Sequence, residues 1–304
     1  MTDRNNALDF VLMDVFTDCM FGGNQLAIFP NAGELSDRSM YAISRELKVN
    51  ETVFVTSRVT GGFTVRIFSP HGELSFAGHP LVGAASYLAE QEQSVDGAEL
   101  KDFILHVPAG PVPVDILSPK GPQKVMLKSP TLPVQLEQNI ASSDLAVLLS
   151  LNINQFSTDL AAAEAFSSGI PFFCIPLVDP TAVKLAKLDK SVWSRVLQYS
   201  EAPHLYIFAL GQDGEIVARM FAPGVGIEED PATGAAAVAL GGYLAKHILA
   251  PEEVVEFIIH QGLEIGRPSQ ISLELQMDDV HLKSVRVGGQ TMLVGKGTLF
   301  DGAR

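Results

Sequence analysis

The feature that most constrains this chain of 304 residues is that part of it is written twice. "RIFSPHGELSFAGHPLVGAASYLA" begins at Arg66, and "RMFAPGVGIEEDPATGAAAVALGGYLA" begins at Arg219. Both run Arg, apolar, Phe, small, Pro, and after a short variable stretch reach His79-Pro-x-x-Gly-Ala-Ala or Asp230-Pro-x-x-Gly-Ala-Ala. A further matched segment follows each, "FILHVPAGPVPVDI" from Phe103 and "FIIHQGLEIGRPSQISLEL" from Phe257. The three offsets are 153, 151 and 154 residues. Three ordered blocks at one near-constant offset point to a tandem duplication.

Each copy reads as short strands around one principal helix. "FVLMDVF", "TVFVTS", "LYIFAL" and "EIVARMFA" are rich in β-branched and aromatic residues and are bounded by Gly, Pro, Asn and Asp. Strands without regularly alternating helices exclude a doubly wound parallel sheet. The repeat helices, "PLVGAASYLA" and "PATGAAAVALGGYLA", are small and apolar on every face, the pattern of a helix enclosed by other structure. The expected fold is therefore α+β: two similar domains, each a curved, mostly antiparallel sheet wrapped round a central helix, with a cleft between them. The expected boundaries are 1–118 together with a C-terminal strand at about 290–304, and 119–289. "AGELSDRSMYAISRELKV" and "DKSVWSRVLQYS" read as additional amphipathic surface helices.

Composition bounds the partners. A formal net charge of -14 with no basic cluster excludes nucleic acid and anionic membrane surfaces as partners. No apolar run reaches the ~20 residues of a membrane span, and "MTDRNNALDF" lacks a secretory pattern, so the expected location is cytoplasmic. Cys19 and Cys174, 155 residues apart in apolar surroundings, read as reduced and mostly buried thiols, and the histidines show no zinc-ligand spacing. No metal and no cofactor is expected.

The chemistry is sought at the two helix starts. Pro80 and Pro231 suit a first helical position, which makes His79 and Asp230 the expected N-caps. Asp is a favoured cap and His is not, so His79 asks for another role. The first turn of each helix offers unpaired N–H groups and a partial positive charge, a seat for a small carboxylate. Glu228 and Glu229 read as exposed charges that complement the helix dipole.

At these residues the chain resembles the phenazine-biosynthesis PhzF-like proteins, which share the diaminopimelate epimerase-like fold. The likeness rests on "DVFTDCMFGGNQLAIF", "NETVFV", "FAGHPLVGAA", "MFAPGVGIEEDPATGAAA", "GLEIGRPSQI" and "VRVGGQ", in order from residue 14 to 290. The resemblance implies a cofactor-independent isomerase that moves a proton within a small cyclic diene acid. It assigns the acid/base role to Glu51 of "NETVFV", a residue that its local sequence alone marks only as a solvated strand-edge Glu. Asn24, His79 and Asp230 are implied as substrate contacts, and Thr233, Gly234 and Ala235 as the stretch that binds the substrate carboxylate. Ala235 departs from the serine usual there, which bears on the substrate. The resemblance also implies a homodimer. The alternatives are a non-catalytic small-acid binder on the same fold, or an amino-acid epimerase. The epimerase is disfavoured because neither helix start carries the cysteine such enzymes use.

Overall fold

The computed structural model describes residues 7–96, 101–117, 123–211, 215–247 and 254–300. The chain divides into two compact units, residues 1–128 with 288–304, and residues 129–287.

The first unit contains β1 (Ala7–Val15), β2 (Asn24–Phe29), α1 (Asp37–Leu47), β3 (Glu51–Val59), β4 (Gly62–Ser69), β5 (Gly72–Leu74), α2 (Gly78–Asp96), β6 (Asp102–Val107), β7 (Gly110–Ile116) and β8 (Lys124–Lys128). β1 pairs antiparallel with β2, and β2 runs parallel to β3. β3 is antiparallel to β4 along one edge, and the other edge of β4 pairs with β5 at residues 67–69 and, in parallel, with β6 at residues 62–64. β6, β7 and β8 complete an antiparallel meander.

The second unit contains β9 (Val134–Leu136), α3 (Ser142–Leu149), β10 (Glu164–Ser167), β11 (Pro171–Pro176), α4 (Pro180–Leu185), α5 (Lys190–Val196), β12 (His204–Leu210), β13 (Glu215–Ala222), β14 (Ile227–Asp230), α6 (Gly234–His247), β15 (Val254–Gln261) and β16 (Ser269–Asp278). After it comes β17 (His281–Phe300), whose later part returns to the first unit and pairs with β1, from Ala7↔Phe300 to Val15↔Thr291. β8 also pairs with β17, so the first sheet closes on itself.

The duplication is explicit in the ladders. β11 is parallel to β12, β12 antiparallel to β13, β13 antiparallel to β14 and parallel to β15, and β15 antiparallel to β16. That is the order of β2, β3, β4, β5, β6 and β7. Even the parallel registers correspond, Gly62↔Ile104 in one unit and Glu215↔Ile258 in the other.

Each sheet encloses the apolar part of its central helix, residues 80–89 of α2 and 236–245 of α6, because those turns have almost nothing polar to expose. α2 packs on β1, β2, β3, β7 and β8, and α6 on β9, β10, β11 and β16. Gly83 lets the first sheet come close: a Cβ there would lie 2.4 Å from Leu26 Cδ2 and 2.8 Å from Val15 Cγ2. Gly242 does the same in the second unit, where a Cβ would meet Phe166 at 2.7 Å. Tyr243, fully buried on α6, makes edge contacts with Phe166 and Phe208 and donates its hydroxyl to the Ala161 carbonyl at 2.6 Å.

The helix starts differ from expectation. α2 begins at Gly78, which places His79 and Pro80 inside its first turn. α6 begins at Gly234, so Asp230 ends strand β14 and the Asp-Pro-Ala-Thr stretch is a connection before the helix. In α2 the physical reason is that a proline without an N–H is tolerated anywhere in a first turn. In α6 Pro231 stays outside the helix, because the Asp230 carbonyl and the Thr233 N–H are taken up by Gln261 and the first helical bond runs from the Ala237 N–H to the Thr233 carbonyl. Cys19 also departs from expectation: it is exposed, whereas Cys174 is buried, and both are free thiols. No helix among the described residues is long and apolar enough to cross a membrane.

Candidate functional site

In the first unit the structure brings three of the expected residues into one neighbourhood. Glu51 opens β3 and stands opposite Leu26 of the parallel strand β2. His79 comes from the first turn of α2, and its Nε2 lies 3.1 Å from Glu51 Oε2. The two side chains are 9% and 17% exposed, so they sit largely out of water. Their alignment falls short of a conventional hydrogen bond, a geometry that catalytic pairs commonly show before substrate binds. Asn24, buried at the start of β2, accepts a 3.1 Å bond from Asn50 Nδ2, the residue before Glu51.

The chain reaches Asn24 through a constrained loop. Gly23 has φ +60, and a Cβ would lie 2.3 Å from the Val15 carbonyl oxygen, so only glycine fits. Within the same loop the buried Asp14 carboxylate accepts the Phe21 N–H at 2.7 Å.

In the second unit the Asp230–Thr233 turn is organised by a side chain that local sequence did not mark. Gln261, fully buried at the end of β15, donates through Nε2 to the Asp230 carbonyl at 2.8 Å and to Thr233 Oγ1 at 3.0 Å. Its Oε1 accepts the buried Tyr206 hydroxyl at 3.2 Å and the Thr233 N–H at 3.3 Å. Because Thr233 Oγ1 accepts from Gln261, its proton is directed to Asp230 Oδ2, at 2.5 Å. The turn is thus wired as a chain with one direction, amide to hydroxyl to carboxylate. Tyr206 is buried so completely that its phenol is held well above its ordinary range and serves as a donor.

This network revises the seat expected for a carboxylate. The Thr233 N–H is already engaged by Gln261, whereas Gly234 and Ala235 open α6, where N–H groups have no acceptor one turn back within the helix. Ala235, half-buried, presents no hydroxyl.

Glu228 and Glu229 lie on β14 and not in the first turn of a helix. Glu228 is exposed and ion-paired with Lys190. Glu229 is 9% exposed and forms a bidentate pair with Arg219, at 3.0 Å (Nε to Oε1) and 2.7 Å (Nη2 to Oε2), so it is no solvated dipole partner. Glu264 adds a second carboxylate 3.8 Å from Arg219 Nε.

Comparison with known proteins then bears on the fold and the family. A profile of the phenazine biosynthesis-like protein family matches residues 13–297. The chain belongs to that family. It is 34% identical to an uncharacterized isomerase of Mesorhizobium japonicum over 96% of this chain and 98% of that protein. It is 31% identical to the trans-2,3-dihydro-3-hydroxyanthranilate isomerase of Pseudomonas chlororaphis, over 95% and 98% of the two chains. A PhzF-family protein of Bacillus anthracis superposes with a TM-score of 0.86 at 24% identity, covering 97% of this chain and 99% of that one. As a PhzF-like isomerase the protein carries the diaminopimelate epimerase-like fold, in agreement with the duplicated ladders.

Proposed function

We propose that this phenazine biosynthesis-like isomerase moves a proton between two carbons of a small cyclic diene acid, with Glu51 as the acid/base. The observation that carries the reading is the Glu51–His79 pair: two titratable groups 3.1 Å apart, largely excluded from water. The substrate class proposed is that of trans-2,3-dihydro-3-hydroxyanthranilate, the compound in the name of the Pseudomonas chlororaphis relative. By its name it carries a carboxylate, an amine and a hydroxyl on one ring.

The step needs one group that accepts a proton at one carbon and returns it at another while the double bonds shift. A carboxylate with limited access to water suits this: it accepts the proton at one carbon and, after exchange with solvent through its remaining exposure, returns one at the other. His79, 3.1 Å from Glu51, is read as the polar contact for the ring substituents beside it. Asn24 contributes to the same neighbourhood through Asn50. Asp230, whose Oδ2 is already served by Thr233, is read as the acceptor for a substrate amine or hydroxyl. The helix start at Gly234 and Ala235, after the Thr233 turn, is read as the anion seat.

An amino-acid epimerase working through two thiols is less well supported. Cys19 lies on an exposed loop, and complete burial holds the Cys174 thiol well above its usual range, unsuited to proton exchange near neutrality.

The test is Glu51→Gln assayed with trans-2,3-dihydro-3-hydroxyanthranilate in D2O. Wild type is expected to incorporate solvent deuterium at the receiving carbon. The variant is expected to lose about 10²–10⁴ in turnover while its thermal stabilisation by ligand persists. Retained turnover in Glu51→Gln rules out the assignment, and ligand stabilisation without turnover in wild type favours a non-catalytic binder.

A further inference from the structure

The arginine that opens each repeat plays no part in the reading above, yet it is built the same way in both units. Arg66 donates through Nε and Nη2 to Glu73 Oε1 and Oε2, both at 2.7 Å. Arg219 donates through the same two nitrogens to Glu229. Each guanidinium also lies over the phenylalanine two residues on, 5.1 Å from the Phe68 ring and 5.0 Å from the Phe221 ring. In each unit the remaining nitrogen, Nη1, reaches an outer helix. Arg66 bonds Asp37 at the start of α1 at 2.6 Å, and Arg219 bonds the Val183 and Ala186 carbonyls at the end of α4 at 3.0 and 2.7 Å.

The placement of the forks relative to Asp230 and His79 gives them meaning. Glu229 immediately precedes Asp230 on β14, a four-residue strand whose register against β13 shifts between Met220↔Asp230 and Ala222↔Ile227. Two hydrogen bonds on Glu229 at this irregularity fix the backbone from which the next side chain, Asp230, projects. A bidentate fork resists twisting in a way that a single ammonium contact does not. Glu73 sits on β5, opposite Phe68, on the hairpin from which the chain passes through three residues after Leu74 into α2 and His79.

We infer that Arg219–Glu229 and Arg66–Glu73 are duplicated positioning pairs, the first aiming Asp230 and the second aiming His79 at Glu51. This rests on the proposed roles of Asp230 and His79, and the experiment separates its failure from theirs. The variants are Arg219→Lys and Arg66→Lys, which keep the charge and lose the fork. The first measurement needs no substrate: backbone amide signals of residues 230–235 and the ring signals of His79, assigned with a His79→Asn control. Arg219→Lys is expected to displace the 230–235 amides and leave the His79 ring unmoved, and Arg66→Lys to do the reverse.

The second measurement uses trans-2,3-dihydro-3-hydroxyanthranilate. Arg219→Lys is expected to raise KM about tenfold with kcat within twofold. Arg66→Lys is expected to lower kcat about tenfold with KM within twofold. If wild type does not turn this acid over, the isomerase reading fails and the NMR pattern alone decides on positioning. Lower melting temperatures with both sets of signals unmoved, or both variants moving the same set, overturn the inference.

Discussion

At the scale of single residues, Gln261 is the polar side chain with most at stake in the second unit. It is fully buried and uses Nε2 and Oε1 in four hydrogen bonds to Asp230, Thr233 and Tyr206. Replacing it by Leu, close in volume, leaves the Asp230 carbonyl, the Thr233 N–H and the Tyr206 hydroxyl without this partner. Each buried group so stranded costs about 1–3 kcal/mol. Gln261→Leu is therefore expected to destabilise the protein by about 3 kcal/mol or more, read from the urea midpoint at unchanged m-value. A loss below about 1 kcal/mol would show that the turn holds itself. Nothing local marks Gln261, since it ends the apolar run "FIIHQG" and its partner Asp230 lies 31 residues earlier. Glu51 is hidden for the same reason. Its partner His79 is 28 residues on, so only the resemblance singles it out.

At the scale of elements, the repeat made the duplicated α+β plan legible, but not the strand order, in which the matched blocks supply both partners of a parallel pair, β4 with β6 and β13 with β15. The enclosed helices were legible too, because small apolar residues on every face leave a helix no solvent side. What stayed hidden depends on pairing across the fold. A Glu beside an Asp-Pro looks like a dipole partner until Arg219, buried and ten residues earlier, is seen to hold it. The helix starts are misread by two and three residues, the first because proline is tolerated anywhere in a first turn and the second because Gln261 holds the Asp230–Thr233 turn outside the helix. The parallel pairing itself sets a test at Gly62, where a Cβ would lie 1.9 Å from the Ile104 backbone oxygen. At Gly83 the obstructing atoms are methyls of Leu26 and Val15 and not backbone, and alanine gains up to about 1 kcal/mol of helix propensity that offsets part of the crowding. At Gly62 the obstruction is the ladder. Gly62→Ala is expected to cost about 3 kcal/mol or more, at or beyond the usual range of overpacking, and Gly83→Ala clearly less. Equal losses of melting temperature in the two variants would contradict this.

For the whole molecule, the first unit is discontinuous in sequence and the second is not. Residue 9 of β1 meets residue 298 of β17, with Thr298 Oγ1 donating to Asp9 Oδ1 at 2.7 Å, so this ladder joins parts of the chain 289 residues apart. The second unit is made from one stretch, and its ends are tied by the Ser129 N–H donating to the Val285 carbonyl at 2.9 Å. Once that bond exists, Val125 and Gly288, in contact in the folded first unit, are separated by a few effective links and no longer by about 160 residues. Loop-closure entropy for bringing β8 and β17 together then falls by about 3 kcal/mol. Closure in the opposite order carries that entropy in full, so the second unit is expected to fold first and to template the first. Quench-flow hydrogen exchange during refolding checks the order. Amides of Leu205–Leu210 on β12 should gain protection before those of residues 7–10 on β1, because this part of β1 is in register with β17 and not with β2. Protection of β1 ahead of β12 would mean that the N-terminal strands form a core without their C-terminal partner, and that the discontinuity of the first unit does not govern how the chain folds.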